Sequence, residues 1–261
     1  MDLDRTRALF DHQLRRGSGP PRPGVTVDRD DTVVRQSGPG WTTVVWSDLD
    51  TTTADGAIAA QIAYSTGRGE EVEWKLYDHD RPADLGERLQ AAGFVPGPEE
   101  TLMVAEARAL TPGPAPVPGV RVERVTDAIG VDLMLRAKER AFGTVPSGLR
   151  ATLLAGLDDG DLVLLVALAG DEAISSARIE FTPGTDFAGL WGGGTVPEWR
   201  GRGVYRALVA HRAALAVARG VRFLQVDASA PSRPILGALG FVRLGTTTPY
   251  VHTPVPAPRP L

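Results

Sequence analysis

The sequence predicts a mixed α/β fold built from two domains, each a β-sheet flanked by helices. Three observations lead there. Short β-prone runs alternate with amphipathic stretches of helical period along most of the chain. Residues 111–119, with proline at every second position from Pro112 to Pro118, mark a boundary between two halves, because such a segment favours extended polyproline II over helix or sheet. Finally, Leu89-Gln-Ala-Ala-Gly93-Phe94-Val95 in the first half echoes Leu236-Gly-Ala-Leu-Gly240-Phe241-Val242 in the second, each after a strand-like run, as a diverged duplication would leave it.

In the second half, Val120–Val125 predicts a strand and 126–142 an amphipathic helix, with Thr126 as N-cap and Gly143 as its stop. A shorter helix follows around 147–157. Strands at 162–168 and 173–181 are joined by a hairpin signal at Gly170-Asp171. Phe187–Thr195 is a further strand. A helix from about 202 to 218 carries Val204, Leu208, His211, Leu215 and Ala218 at helical spacing, which puts His211 on the buried stripe, and Gly220 closes it. Residues 221–226 form the next strand. Ser232 is placed to cap a short helix that holds Pro234 in its first turn, and 242–246 is a final strand. In the first half, 33–34 and 42–46 suit a hairpin, 54–66 a helix, and Val72–Tyr77 a strand.

Composition narrows the functional classes. The 261-residue chain has a formal charge of −4, which argues against a nucleic-acid partner. With no cysteine, thiolate catalysis and disulfides are excluded, and the four histidines His12, His79, His211 and His252 show no metal-ligand spacing. The start Met1-Asp2-Leu3-Asp4-Arg5 is too charged for a signal peptide, and the longest apolar run, Leu162–Ala169, is short of a membrane span. A cytoplasmic protein without membrane contact is expected.

The chemistry-bearing stretch is Thr195-Val-Pro-Glu-Trp-Arg200-Gly-Arg-Gly-Val-Tyr-Arg206-Ala-Leu208. A strand ends, proline stops it, and two glycines bracket an arginine just before a helix. Glycine permits a tight turn and close approach of a ligand to the backbone. The first amides of the helix lack intrahelical acceptors and carry the positive end of its dipole, which suits a pyrophosphate. Arg200, Arg202 and Arg206 add charge around it.

This stretch resembles the acyl-CoA signature of the GNAT superfamily of N-acyltransferases, Arg/Gln-x-x-Gly-x-Gly/Ala after a strand ending Val-x-Pro. Arg200 and Gly203 match the first two fixed positions, and Leu239-Gly240-Phe241 matches a second family motif in the right order; together the resemblance covers 120–252. Tyr205 stands where the family has a small residue, so its ring must either swing away from the phosphates or narrow the pocket. The resemblance implies acetyl-CoA as co-substrate, held by Gly193, Gly194, Thr195, Gly201, Arg202, Gly203, Val204, Tyr205 and Arg206. It implies transfer of acetyl to an amine by direct attack in a ternary complex. A small-molecule amine and a peptide or protein amine both fit as acceptor. The Gly192-Gly193-Gly194 run suits pantetheine lying against backbone, or a bulge in the strand.

Acyl transfer needs a base for the amine, donors for the oxyanion and an acid for the thiolate. The strand Phe187–Thr195 carries no acid, and Leu236 occupies the position of the family's usual tyrosine. Glu180 and Tyr250 are the substitutes, against the plainer readings of a surface glutamate and a packing tyrosine. The missing groups motivate an alternative, a non-catalytic acyl-CoA-binding regulatory protein. In the first half Asp48, Asp50 and Asp55 stand where an anion-binding loop would be, so that half is expected to be a degenerate GNAT-like domain without cofactor. The expected organisation is 1–110 degenerate domain, 111–119 linker, 120–252 acyl-CoA-binding catalytic domain and 253–261 proline-rich tail.

Overall fold

The computed structural model describes residues 1–17, 19, 24–38, 40–111 and 116–254. Residues 112–115 of the expected linker and 255–261 of the expected tail lie outside the described residues. Helix α1 (Leu3–Phe10) continues into a π-helical turn at Asp11–Arg16. Strands β1 (Thr26–Arg29), β2 (Val33–Gly38) and β3 (Trp41–Ser47) precede α2 (Ala54–Arg68), β4 (Val72–Tyr77), α3 (Leu85–Ala91), β5 (Val95–Pro96) and β6 (Glu100–Glu106). Then come β7 (Val120–Val125), α4 (Ala128–Phe142), α5 (Leu149–Ala155), β8 (Leu162–Ala169), β9 (Glu172–Phe181) and β10 (Phe187–Thr195). The chain closes with α6 (Val204–Ala218), β11 (Phe223–Ala228), α7 (Arg233–Ala238) and β12 (Val242–His252).

Two compact units emerge. The first gathers Met1–Leu102, Asp227–Ala230 and Arg243–Leu261, the second Met103–Val226 and Pro231–Val242. The expected boundary at 120–252 differs from this division, because β12 pairs with β4 from Thr247↔Tyr77 to His252↔Val72. That ladder satisfies the backbone of β4 and buries Thr247 and Tyr250.

In the first unit the strand order is β1-β2-β3-β4-β12, antiparallel except for β3 and β4. The parallel pair is joined by α2, whose Ala54, Ile58, Gln61 and Ser65 are buried at roughly one-turn spacing. Ile58 packs with Val44, Trp74, Leu85, Leu89 and Phe94 in one core. In the second unit, β7-β8-β9-β10 are antiparallel and β11 runs parallel to β10 through the crossover helix α6. The run Leu162–Ala169 is β8, buried along all but its last residue, hence its unbroken apolar character.

Both parallel pairs part early. β3 and β4 pair only from Thr42↔Val72 to Val44↔Trp74, and β10 and β11 only from Phe187↔Phe223 to Gly189↔Gln225. Each pair opens towards its carboxyl ends, where open α/β sheets take ligands.

Two expected caps move. Asp127, not Thr126, caps α4, its carboxylate accepting from the Gly130 amide at 2.8 Å, because its extended backbone aims the side chain at the first turn. Ser232 makes no side-chain capping bond to α7, its own backbone being already helical.

Candidate functional site

The turn that opens α6 is built on glycine. Gly201 and Gly203 have φ of +74° and +86°, a left-handed conformation that other residues rarely adopt. The first helical bond runs from the Ala207 amide to the Gly203 carbonyl, so the amides of Gly203, Val204, Tyr205 and Arg206 stand ahead of it. A Cβ on Gly201 would meet nothing within 4 Å, which leaves open space above the turn. Val204 turns its side chain into the core and offers only its amide. Arg202 stacks on Trp199 with its guanidinium carbon 4.8 Å from the ring centre. Arg202 and Arg206 are exposed and form no ion pair among the described residues. These groups fit a pyrophosphate: free amides, a dipole end and two uncommitted cations.

Arg200 does different work. Its Nε donates to the Thr195 carbonyl at 3.1 Å and its Nη2 to the Ala141 carbonyl at 2.9 Å. It therefore ties the end of β10 to the carboxyl end of α4, where a cation is favoured.

Strand β10 has a bulge. Its register against β9 shifts between Trp191 and Gly194, leaving Gly192 and Gly193 outside the ladder, and beyond Gly189 it has no pairing with β11. Backbone groups on that stretch are thus available to a ligand lying along the strand, as the pantetheine arm of CoA would need. The glycines, however, answer to side chains of this same protein. A Cβ on Gly193 would come within 2.9 Å of Tyr205 Cε2, and one on Gly194 would strike the Phe142 ring. The two rings occupy the space that Gly193 and Gly194 leave. Thr195 pairs with Ser175, whose hydroxyl lies 2.9 Å from Thr195 Oγ1 and donates to the Gly194 carbonyl at 2.6 Å.

Tyr205 thus turns its ring towards β10. Its phenol interacts with the charge of Arg212, two turns further along α6. Arg212 is 1% exposed, donates to the Leu208 and Arg178 carbonyls, and has no carboxylate partner among the described residues. Burial away from water pulls its guanidinium down to about 10, and burial pushes the Tyr205 phenol up against the opposing charge of Arg212. The sequence reading missed Arg212 and misplaced His211. The buried stripe of α6 is Val204, Leu208, Arg212 and Ala216, with Val209 and Ala213, so His211 is exposed. The one-turn spacing from Val204 through Leu208 to Arg212 was the available signal; a charged residue disguised it.

Glu180 lies on β9 opposite Gly189 and accepts from Arg178 Nε at 2.7 Å. Tyr250 belongs to the first unit, where it packs in the core with Trp74 and Leu85. Leu236 on α7 is fully buried, an apolar core contact at the position of the family tyrosine. Among the described residues no group of His, Asp or Glu could hold a metal ion, and no helix is long and apolar enough to cross a membrane.

Residues 131–241 match the family model described as "Acetyltransferase (GNAT) family", and this segment is a GNAT domain. The full chain is similar in structure to a GCN5-related N-acetyltransferase from Kribbella flavida, with a TM-score of 0.69 and 14% identity over 95% of each chain. It is similar to a functionally unknown conserved protein from Staphylococcus epidermidis, at a TM-score of 0.73 and 14% identity, over 96% of this chain and 100% of that one. A tandem GNAT protein from the clavulanic acid biosynthesis pathway matches with a TM-score of 0.61 and 13% identity, over 98% and 97%. At these identities the likeness shows the fold, a mixed α/β architecture like that of GNAT structures, a tandem GNAT protein among them. Comparison with curated protein sequences gives no match.

Proposed function

We propose that the chain is an acyl-CoA-dependent N-acyltransferase that moves acetyl from acetyl-CoA to an amine. The observation that carries this reading is the left-handed Gly203 cap, which delivers the free amides of α6 beside a stretch of β10 unpaired with β11. Bound acetyl-CoA would supply an activated acetyl thioester. The amides of Gly203 to Arg206, with Arg202 and Arg206, would hold its pyrophosphate, while Gly201 keeps the approach open. Backbone groups from Gly193 to Thr195 would hold the arm along β10. Arg200 would fix the turn by tying β10 to α4.

For proton transfer Glu180, on β9 opposite Gly189 and bonded to Arg178, is the proposed base for the amine. Tyr250, the acid the sequence offers, lies with Trp74 and Leu85 in the first unit's core, a packing position, and no acid is assigned. Orientation of the reactants alone contributes about 7–11 kcal/mol at best.

The absence of any acid on β10, together with the buried Leu236, favours a second reading as a non-catalytic acyl-CoA-binding protein. Release of free CoA thiol from acetyl-CoA, measured across a panel of amines, separates the two. Turnover above the amine-free rate supports the transferase. Binding without such turnover leaves the regulatory reading.

A further inference from the structure

The first unit carries a cleft of about 810 Å³ where β3 and β4 part. It is enclosed by the turn before α2, the loop between β4 and α3, one face of α3, and Tyr250 of β12. Its size falls within the usual range for small-molecule sites, about 300–1,000 Å³.

By position this cleft corresponds to the anion-binding turn of the second unit, yet it is closed to anions. Helix α2 starts after Thr53, at φ −99°, with no left-handed glycine. The Asp50 carboxylate already accepts the amides of Thr52 and Thr53 at 2.8 and 2.9 Å and both threonine hydroxyls. The protein's own carboxylate therefore sits where a phosphate would. Those bonds hold Asp50 down to about 2, so it is ionised throughout the neutral range.

The rest of the lining combines an apolar floor with a negative rim. Leu49 and Leu85 are buried beneath it, and Leu76 packs against the same core. Asp78 and Glu87 are exposed at the rim; Asp78 is paired with Arg243 and His79 and accepts the Thr246 amide, whereas Glu87 makes no hydrogen bond or ion pair among the described residues. The nearby cations Arg15 and His79 are spent on Asp80 and Asp11, leaving Arg81 as the one uncommitted positive side chain of the lining.

A second observation is independent of charge. Tyr250 is only 9% exposed, lines the cleft, and its hydroxyl has no hydrogen-bond partner among the described residues. The hydroxyl is open to the cleft, so a bound ligand can supply the partner that the protein does not. That hydroxyl faces Gly86, where a Cβ would come within 2.7 Å of it, so the absent side chain keeps the site accessible.

We propose that the first unit binds a small organic ammonium ion in this cleft, its apolar body on Leu49, Leu76 and Leu85, its charged head towards Glu87, and a polar atom at the Tyr250 hydroxyl. The site rests on the first unit alone and does not depend on acyl-CoA binding by the second.

The test is calorimetric titration of the full chain with 2-phenylethylamine, protonated at neutral pH, and with 2-phenylethanol, its uncharged counterpart. One saturable site is expected for the amine, with the alcohol at least about tenfold weaker. Gly86→Ala, which places a methyl against the hydroxyl, and Glu87→Gln, an exposed change that spares the fold, should each weaken the amine about fivefold or more. Tyr250→Phe should weaken it without changing the thermal midpoint by more than a few degrees. No saturable amine binding, equal binding of amine and alcohol, or unchanged affinity in both Gly86→Ala and Glu87→Gln would each overturn the proposal. Displacement of the amine from wild type by stoichiometric CoA would also overturn it, since the cleft would then be an anion site.

Discussion

The Tyr205 ring lies on Gly193, so close that a Cβ there would stand 2.9 Å from Cε2. The ring is no free end, because its phenol interacts with the buried Arg212. A methyl group at 193 must therefore displace a pinned ring. Gly193→Ala should cost about 1–3 kcal/mol, the usual range for overpacking, seen as a lower thermal midpoint. Adding Tyr205→Ala should recover part of the loss. If the double variant is no better than the sum of the singles, the ring is not what Gly193 accommodates.

Arg212 is buried without a carboxylate partner among the described residues; it donates to two carbonyls, and the Tyr205 phenol interacts with its charge. Arg212→Met removes the donor to both carbonyls and the charge beside the Tyr205 phenol, at a cost of about 1–3 kcal/mol. In a Tyr205→Phe background the same change should cost less, with a coupling of about 0.5–3 kcal/mol in urea unfolding. Strict additivity would show that the pair does not act as a unit.

His79 and Asp11 form a pH-sensitive contact at 2.8 Å in the first unit. Burial lowers the imidazole, but the hydrogen bond and charge of Asp11 outweigh it, so His79 titrates above its ordinary 6.5. Burial likewise raises the Asp11 carboxyl, and His79 and Arg15 overcome it, placing it below 3.8. A raised imidazole contributes stability in full below 6.5 and loses it as pH rises through the raised value. A lowered carboxyl contributes above 3.8 and loses it as pH falls through the lowered value. Between about pH 6 and about pH 8.5, wild type should lose more of its thermal midpoint than His79→Gln does. Parallel profiles would contradict the contact's role.

Arg200 holds two backbone carbonyls rather than phosphate oxygens. Arg200→Gln should therefore lower stability by about 1–3 kcal/mol with or without acetyl-CoA. A variant of wild-type stability that has lost only its CoA affinity would show that Arg200 acts on the ligand directly.

Much of this architecture was legible because local chemistry and tertiary structure agree. β10 matches its expected bounds, and Gly143 and Gly203 are left-handed where helices end and begin. The parallel pairs with their crossover helices follow from strand-helix-strand order. What stayed hidden depended on long-range contacts. β12 runs past Pro249 to His252 because β4 supplies a ladder partner that no local pattern announces. The helical turns from Leu3 to Arg16 are anchored by Arg15, whose Nη2 bonds both oxygens of Asp80 at 2.7 Å, 65 residues away. Arg212 escaped notice because a charged residue on a buried stripe breaks the apolar period that marks such stripes. The glycine run suggested a ligand, and only the fold shows Tyr205 and Phe142 filling the space beside it.

The central claim is that the turn at Gly201–Gly203 cradles the pyrophosphate of an acyl-CoA, and that the first unit, its matching amides taken by Asp50, does not. Calorimetric titration of acetyl-CoA into the full chain and into Gly203→Asp tests it most directly. Aspartate at φ +86° is strained and brings a negative charge to the helix start, so a folded variant should lose binding by at least about a hundredfold. Wild type should show one site per chain. Two equal sites, no site at all, or unchanged affinity in a folded Gly203→Asp variant would contradict the account.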